Sequence, residues 1–133
     1  MRTHKGFILE LKENEIFVFG SNLSGIHGKG AAKTARRWGA KIGEGEGLFG
    51  QTYALPTVKE NIFDGSLSLY DIQYHIGNFA GCVLENPHLE FLLTEVGCGL
   101  AGYSVDQIAP LFKQLRELPN IVWPKSFIPF LVV

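Results

Sequence analysis

The sequence predicts an α/β fold, a three-layer α/β/α sandwich around a mixed, mostly parallel sheet. Three observations carry this reading. Short apolar runs alternate with amphipathic segments along the chain, the order that builds parallel sheets. One run, Ile16-Phe17-Val18-Phe19, is apolar at consecutive positions, as a strand buried on both faces must be. Glycine gathers directly after two of the runs, and the strand-to-helix loops at that edge of an α/β sheet form its ligand site.

The strands expected, in order, are Phe7 to Leu11, Ile16 to Phe19, Thr52 to Leu55 (stopped by Pro56), Leu89 to Thr94, and Ile121 to Trp123. Phe127 to Val133 is a sixth, which Pro129 confines to an edge or an irregular tail. Three segments read as helices. Gly28 to Trp38 sets Ala31, Ala32, Ala35 and Trp38 on one face and Lys29, Lys33, Arg36 and Arg37 on the rest. Ser68 to Leu84 repeats apolar residues at spacings of three and four, with Ser68 and Asp71 placed to cap its start. The third helix starts either at Ser104, which has capping-box spacing to Gln107, or near Pro110, which the first choice would bury in a helix interior.

The 133 residues form one domain, 1–133, long enough to hold a core without staples. Apolar residues make up 46% and charged residues 19%, which excludes a disordered chain. A net charge of −1 excludes the global basic field of a non-specific nucleic-acid binder. Cys82 and Cys98 make no disulfide framework, and no Cys/His spacing suits a metal, so neither metal nor cofactor is expected. No signal peptide opens the chain, and no apolar run approaches the ~20 residues that cross a bilayer, so a reducing cytoplasm is the expected compartment.

Nine of the 16 glycines fall between Gly20 and Gly50, where average usage would place about two. The first loop, GSNLSGIHGKGAA, joins the IFVF strand to a small-residue helix start, a place where backbone N–H groups can reach an anion. It matches neither GxGxxG nor GxxxxGK[ST], so neither a Rossmann fingerprint nor a Walker A loop is present. The second loop, Glu95-Val96-Gly97-Cys98-Gly99-Leu100-Ala101-Gly102-Tyr103, follows the LEFLLT strand, and two such loops at one sheet edge can clamp a diphosphate. Each loop has a plain structural reading beside this one, as a tight turn with close helix–strand packing. Gly43 to Gln51 is either a solvated loop or a source of acids, Glu44 and Glu46.

These three segments, GSNLSGIHGKGAA, TYALPT and LLTEVGCGLAGYS, taken in order, resemble the macro domain family, in particular a small bacterial and phage branch of it. The resemblance runs from about Ile16 to Phe112. It implies a three-layer module that binds ADP-ribose or related nucleotides. Some members also hydrolyse ADP-ribosyl groups from proteins or nucleic acids. The resemblance matches Ser21-Asn22 to the family's Asn-containing segment, with Asn22 at the distal ribose and Gly20 among the ligand contacts, sets Gly28, Lys29 and Gly30 on the loop that wraps the diphosphate and ribose, and puts Gly97, Cys98, Gly99, Leu100, Ala101 and Gly102 on the second phosphate loop. Tyr103 falls near the ribose or the loop hinge. Ala54-Leu55-Pro56-Thr57 matches the central strand and its exit. Two departures stand out. No counterpart of the adenine-reading Asp of a GDIT-like turn precedes the Ile16 strand, where Lys12-Glu13-Asn14-Glu15 stands. Arg36 occupies the helix position where one deglycosylating branch uses a Lys, and an arginine stays protonated.

Several functions fit. The chain binds an ADP-ribose-type nucleotide, free or carried on a protein or nucleic acid, with hydrolysis by an activated water and His27, Glu44 or Glu46 as base. It is a non-catalytic sensor or sequestering module for a nucleotide signal. It is a thiol enzyme using Cys98 with His27. It pairs subunits through the apolar tail Ser126 to Val133. His75, His88, Cys82 and Trp38 read as structural, and the basic helix face reads as solvated or as an approach for a polymeric substrate.

Overall fold

The computed structural model describes residues 1–60 and 64–132. Its sheet has six strands: β1 (Arg2–His4), β2 (Glu15–Asn22), β3 (Gly47–Phe49), β4 (Thr52–Val58), β5 (Glu90–Leu93) and β6 (Ile121–Pro124), in the order β1-β6-β5-β2-β4-β3. Every pairing is parallel except β3 with β4. The helices are α1 (Gly30–Ala35), α2 (Leu69–Glu85) and α3 (Val105–Ile108).

Alternation along β2 divides the core. Ile16 and Val18 join Tyr53, Leu55, Phe91, Leu93, Ile121 and Trp123 on one face, covered by α2, α3 and the turns that follow α3. Phe17, Phe19 and Ala54 turn the other way and meet Ala35 of α1, with Trp38, Ile8 and Leu11 at the margin. The IFVF run is therefore buried on both faces, and the three layers are unequal. The thick layer centres on Phe79, whose ring lies 4.9 Å from that of Tyr53 and 5.7 Å from that of Phe91.

Four local expectations are corrected. Phe7 to Leu11 is not a strand: Gly6 turns the chain at φ 91°, after which Phe7 and Leu9 stay exposed while Ile8 and Leu11 touch the thin layer. The edge strand is instead the polar Arg2–His4, held by backbone pairing to β6 and by contact of Arg2 with Glu90. β4 runs through Pro56 to Val58, because β3 pairs only as far as Ala54 and leaves no ladder there for the missing N–H to break. Gly47–Phe49, inside the stretch read as loop, is β3. The tail is not a strand: Lys125–Phe130 coils as 3₁₀ turns around Pro129, and Phe127 and Leu131 are buried in this chain's own core. Val133 lies outside the described residues.

Helix boundaries follow local chemistry. α1 begins at Gly30 rather than Gly28, because Lys29 is still extended, and its last turn tightens into a 3₁₀ segment over Arg36–Trp38. Ser68 caps α2, accepting from the Asp71 N–H at 3.1 Å. Both expectations for the third helix hold a part of the answer. The Ser104 N–H donates to Gln107 Oε1 at 2.9 Å to open α3, and the chain tightens to 3₁₀ geometry from Ala109, so Pro110 opens a new segment instead of interrupting an old one.

Phe79→Ala removes the ring that the thick layer is built around, and a loss of about 3–5 kcal/mol is expected. Urea unfolding followed by near-UV circular dichroism checks this, and a change under 1 kcal/mol would contradict the layer's central role.

Candidate functional site

β2, β4 and β5 are adjacent and parallel, so their carboxyl ends open onto one edge. There, residues 20–22, 26 and 29–32 on one side and 94–97 and 99–101 on the other wall a cleft of about 380 Å³, with Thr57 and Val58 at its floor. A second, shallower groove of about 790 Å³ runs alongside, between residues 4–9, α1, the exit of β5 and Pro124–Ser126. Gly30, Ala31, Thr94, Glu95 and Gly99 border both.

The cleft exists because backbones approach closely at its floor. A Cβ on Gly20 would stand 3.2 Å from Thr57 Oγ1 and 3.4 Å from the Gly97 nitrogen, and one on Gly97 would collide with Ile108 at 2.8 Å. Gly97 also holds φ 78°, which a side chain rarely adopts. The second loop then closes on itself, with Gly102 N–H donating to Gly99 O and Tyr103 N–H to Gly97 O. The Tyr103 hydroxyl donates to Leu67 O at 2.6 Å, which ties the loop's end to the approach of α2 and keeps the ring away from the cleft wall. The Gly99 and Leu100 N–H groups donate to no acceptor among the described residues.

The first loop is braced by its own polar side chains. Asn22 accepts from the Ile26 N–H at 2.7 Å and donates to Ile26 O at 2.9 Å, so both ends of its amide shape the turn while its flank lines the cleft. Ser21 is buried, its hydroxyl donating to Gly45 O. His27 is 2% exposed and meets the Phe19 ring edge to face. Its Nε2 lies 3.0 Å from Lys41 O and 3.2 Å from Glu44 O. Both partners are acceptors only, so Nε2 carries the proton. Glycine at two facing positions has a steric cause: a Cβ on Gly45 would stand 2.3 Å from Asn22 O, and one on Gly25 2.3 Å from the Glu44 nitrogen. The 43–51 stretch packs on the first loop at these positions.

The structure thus gathers Gly20, Ser21, Asn22, Lys29, Gly30, Gly97, Gly99, Leu100 and Ala101 on one cleft, with Cys98 on the neighbouring groove. Gly28, Gly102 and Tyr103 line neither. The expected bases are also elsewhere. His27 and Glu44 belong to the brace behind the first loop, and Glu46 accepts from Asn78 at 3.2 Å and sits 2.7 Å from His75 Nδ1, beneath α2. Cys98 and His27 do not meet. Burial first, and the Glu95 carboxylate second, push the Cys98 thiol up to about 11, which corrects the expectation of an activated thiol. Burial likewise raises Cys82. Two groups went unrecognised in the sequence, Glu95 and residues 5–9. Glu95 had a usable signal, its place at the carboxyl end of β5. Residues 5–9 had none, since their apolar run read as a strand.

Among the described residues no group of three or more His, Cys, Asp or Glu side chains is placed to hold a metal ion, and no helix is long and apolar enough to cross a membrane. Comparison with solved structures finds the macrodomain of Mycobacterium tuberculosis DarG, with a TM-score of 0.64 and 17% identity, over 93% of this chain and 97% of that one. No family model and no curated protein matches the sequence. The chain has the macrodomain fold.

Two outcomes are expected. Gly45→Ala forces the brace off the first loop and lowers stability by about 1–3 kcal/mol, read by thermal melting. A thiol with a raised folded pKa stays protonated as pH climbs past its unfolded value of about 8.5, so the stability it lends is present below that value and fades toward pH 11. Iodoacetamide at pH 8 therefore labels native Cys98 more slowly than the urea-unfolded chain by an order of magnitude or more. Equal rates would restore Cys98 as a nucleophile.

Proposed function

We propose that this chain is a binding module for ADP-ribose or a closely related nucleoside diphosphate. The observation that carries the reading is the pair of amide-rich stretches, Lys29–Ala31 and Gly99–Ala101, on the walls of one cleft, with the Gly99 and Leu100 N–H groups free of acceptors among the described residues. Unpaired backbone donors beside glycine are what a diphosphate needs, since they bring fixed partial positive charge without a side chain in the way. Lys29 adds a mobile point charge at the rim. The adjoining groove suits the nucleoside half: Phe7 is 82% exposed there, an apolar ring available to a base, and Lys5, Arg37 and Lys125 line the same groove. The resemblance of the loop sequences to macro domains selects ADP-ribose from the diphosphates that would fit.

Binding without turnover is the form of this function that the site favours, as a sensor or sequestering module acting in a reducing cytoplasm. His27, Glu44 and Glu46, the bases the sequence offered, line neither cleft nor groove.

Titration calorimetry with ADP-ribose is expected to give micromolar affinity, with ADP and NAD weaker. Gly99→Glu should abolish the heat while shifting the melting temperature by no more than about 2 °C, because Gly99 has ordinary φ and open space where a Cβ would stand. Tight binding by that variant, or none by the wild type, would overturn the proposal.

A further inference from the structure

We infer that Glu95 sets the sugar specificity of the site: it accepts hydrogen bonds from the 2′- and 3′-hydroxyls of the ribose that joins diphosphate to base, and it rejects a nucleotide carrying a 2′-phosphate. The inference rests on the nucleoside diphosphate reading above. Among the described residues Glu95 is the one carboxylate bordering either the cleft or the groove, and it borders both. A nucleotide laid with its diphosphate in the cleft and its base in the groove must place its ribose at the boundary between them, because the ribose is the covalent link. Of the five residues at that boundary, three have no polar side chain and Thr94 spends its hydroxyl proton on Val18 O at 2.7 Å, which leaves the Glu95 carboxylate to meet sugar hydroxyls.

The side chain is exposed and held at one oxygen. The Ser126 hydroxyl donates to Glu95 Oε2, which anchors the carboxylate to the segment after β6. No Lys or Arg forms an ion pair with it among the described residues, although Lys5, Arg37 and Lys125 share the groove. A carboxylate is an acceptor only, which suits a vicinal diol and opposes a phosphate, the same chemistry by which an acidic residue separates 2′-hydroxyl from 2′-phosphate nucleotides on dinucleotide-binding sheets. The surrounding cations would otherwise favour an added phosphate, so the discrimination depends on this one charge. Glu95→Gln keeps the shape and removes the charge.

The test is calorimetry on the full chain with ADP-ribose and its 2′-phosphate, for wild type and Glu95→Gln. Wild type is expected to prefer ADP-ribose by about tenfold or more. Glu95→Gln should bring the two affinities within about twofold of each other, by weakening ADP-ribose and strengthening the phosphate analogue. ADP-ribose binding with the same preference in both proteins would overturn the role of Glu95 alone. Failure of both proteins to bind either nucleotide would overturn the nucleoside diphosphate reading and this inference with it.

Discussion

The contact on which the rest depends is between two stretches of backbone. Gly20, in β2, lies against Thr57 of β4 and against Val96 and Gly97 at the exit of β5. Any side chain at Gly20 would press on the Thr57 hydroxyl and the Gly97 amide, and any at Gly97 would enter Ile108. Because both residues lack a Cβ, the three central strands can end together and still leave space above them. The first loop rises on one side of that space and the second on the other. The cleft is thus a consequence of missing side chains at its floor, with parallel strand order supplying the direction.

Polar side chains near the cleft mostly hold loops in place. Asn22 closes the turn to Ile26, His27 pins residues 41 and 44, and Tyr103 ties the second loop to Leu67. What is left to meet a ligand is largely backbone, with Lys29 and Glu95 as charged exceptions. On the reading proposed above, such a site would cost little reorganisation on binding, since its donors are fixed by the fold rather than by rotamers. The bases the sequence suggested, His27, Glu44 and Glu46, lie outside it. Glu46 accepts from Asn78 and contacts His75, and burial holds the Cys98 thiol in its protonated form.

The fold was largely legible because its signals are local and strong. IFVF reads as a strand buried on both faces, α2 shows its apolar stripe and its Ser68 cap, and glycine marks both strand exits. The illegible parts depend on distant partners. Arg2–His4 is a strand only because β6 offers it an edge, and its side chains carry no apolar alternation. The apolar run at residues 7–11 misled because its alternation serves one layer's margin and an open groove. At the site, the glycines announced the loops, but residue type alone could not separate a ligand contact from a brace. Asn22 and His27 suit either role, and only the positions of residue 26 and of residues 41–44 decide between them. The glycines from 39 to 50, read from the sequence as a solvated loop or a source of acids, include three in close packing: Gly45 against the first loop, and Gly39 and Gly50 against each other.

The most direct measurement is a ¹H–¹⁵N correlation spectrum recorded during titration with ADP-ribose. Backbone recognition predicts that the largest amide shifts fall on residues 28–32 and 97–101, with the Gly99 and Leu100 resonances moving farthest and α2 nearly still. A spectrum that does not change, or one whose shifts gather on α2 or around Glu46 and His75, would contradict it.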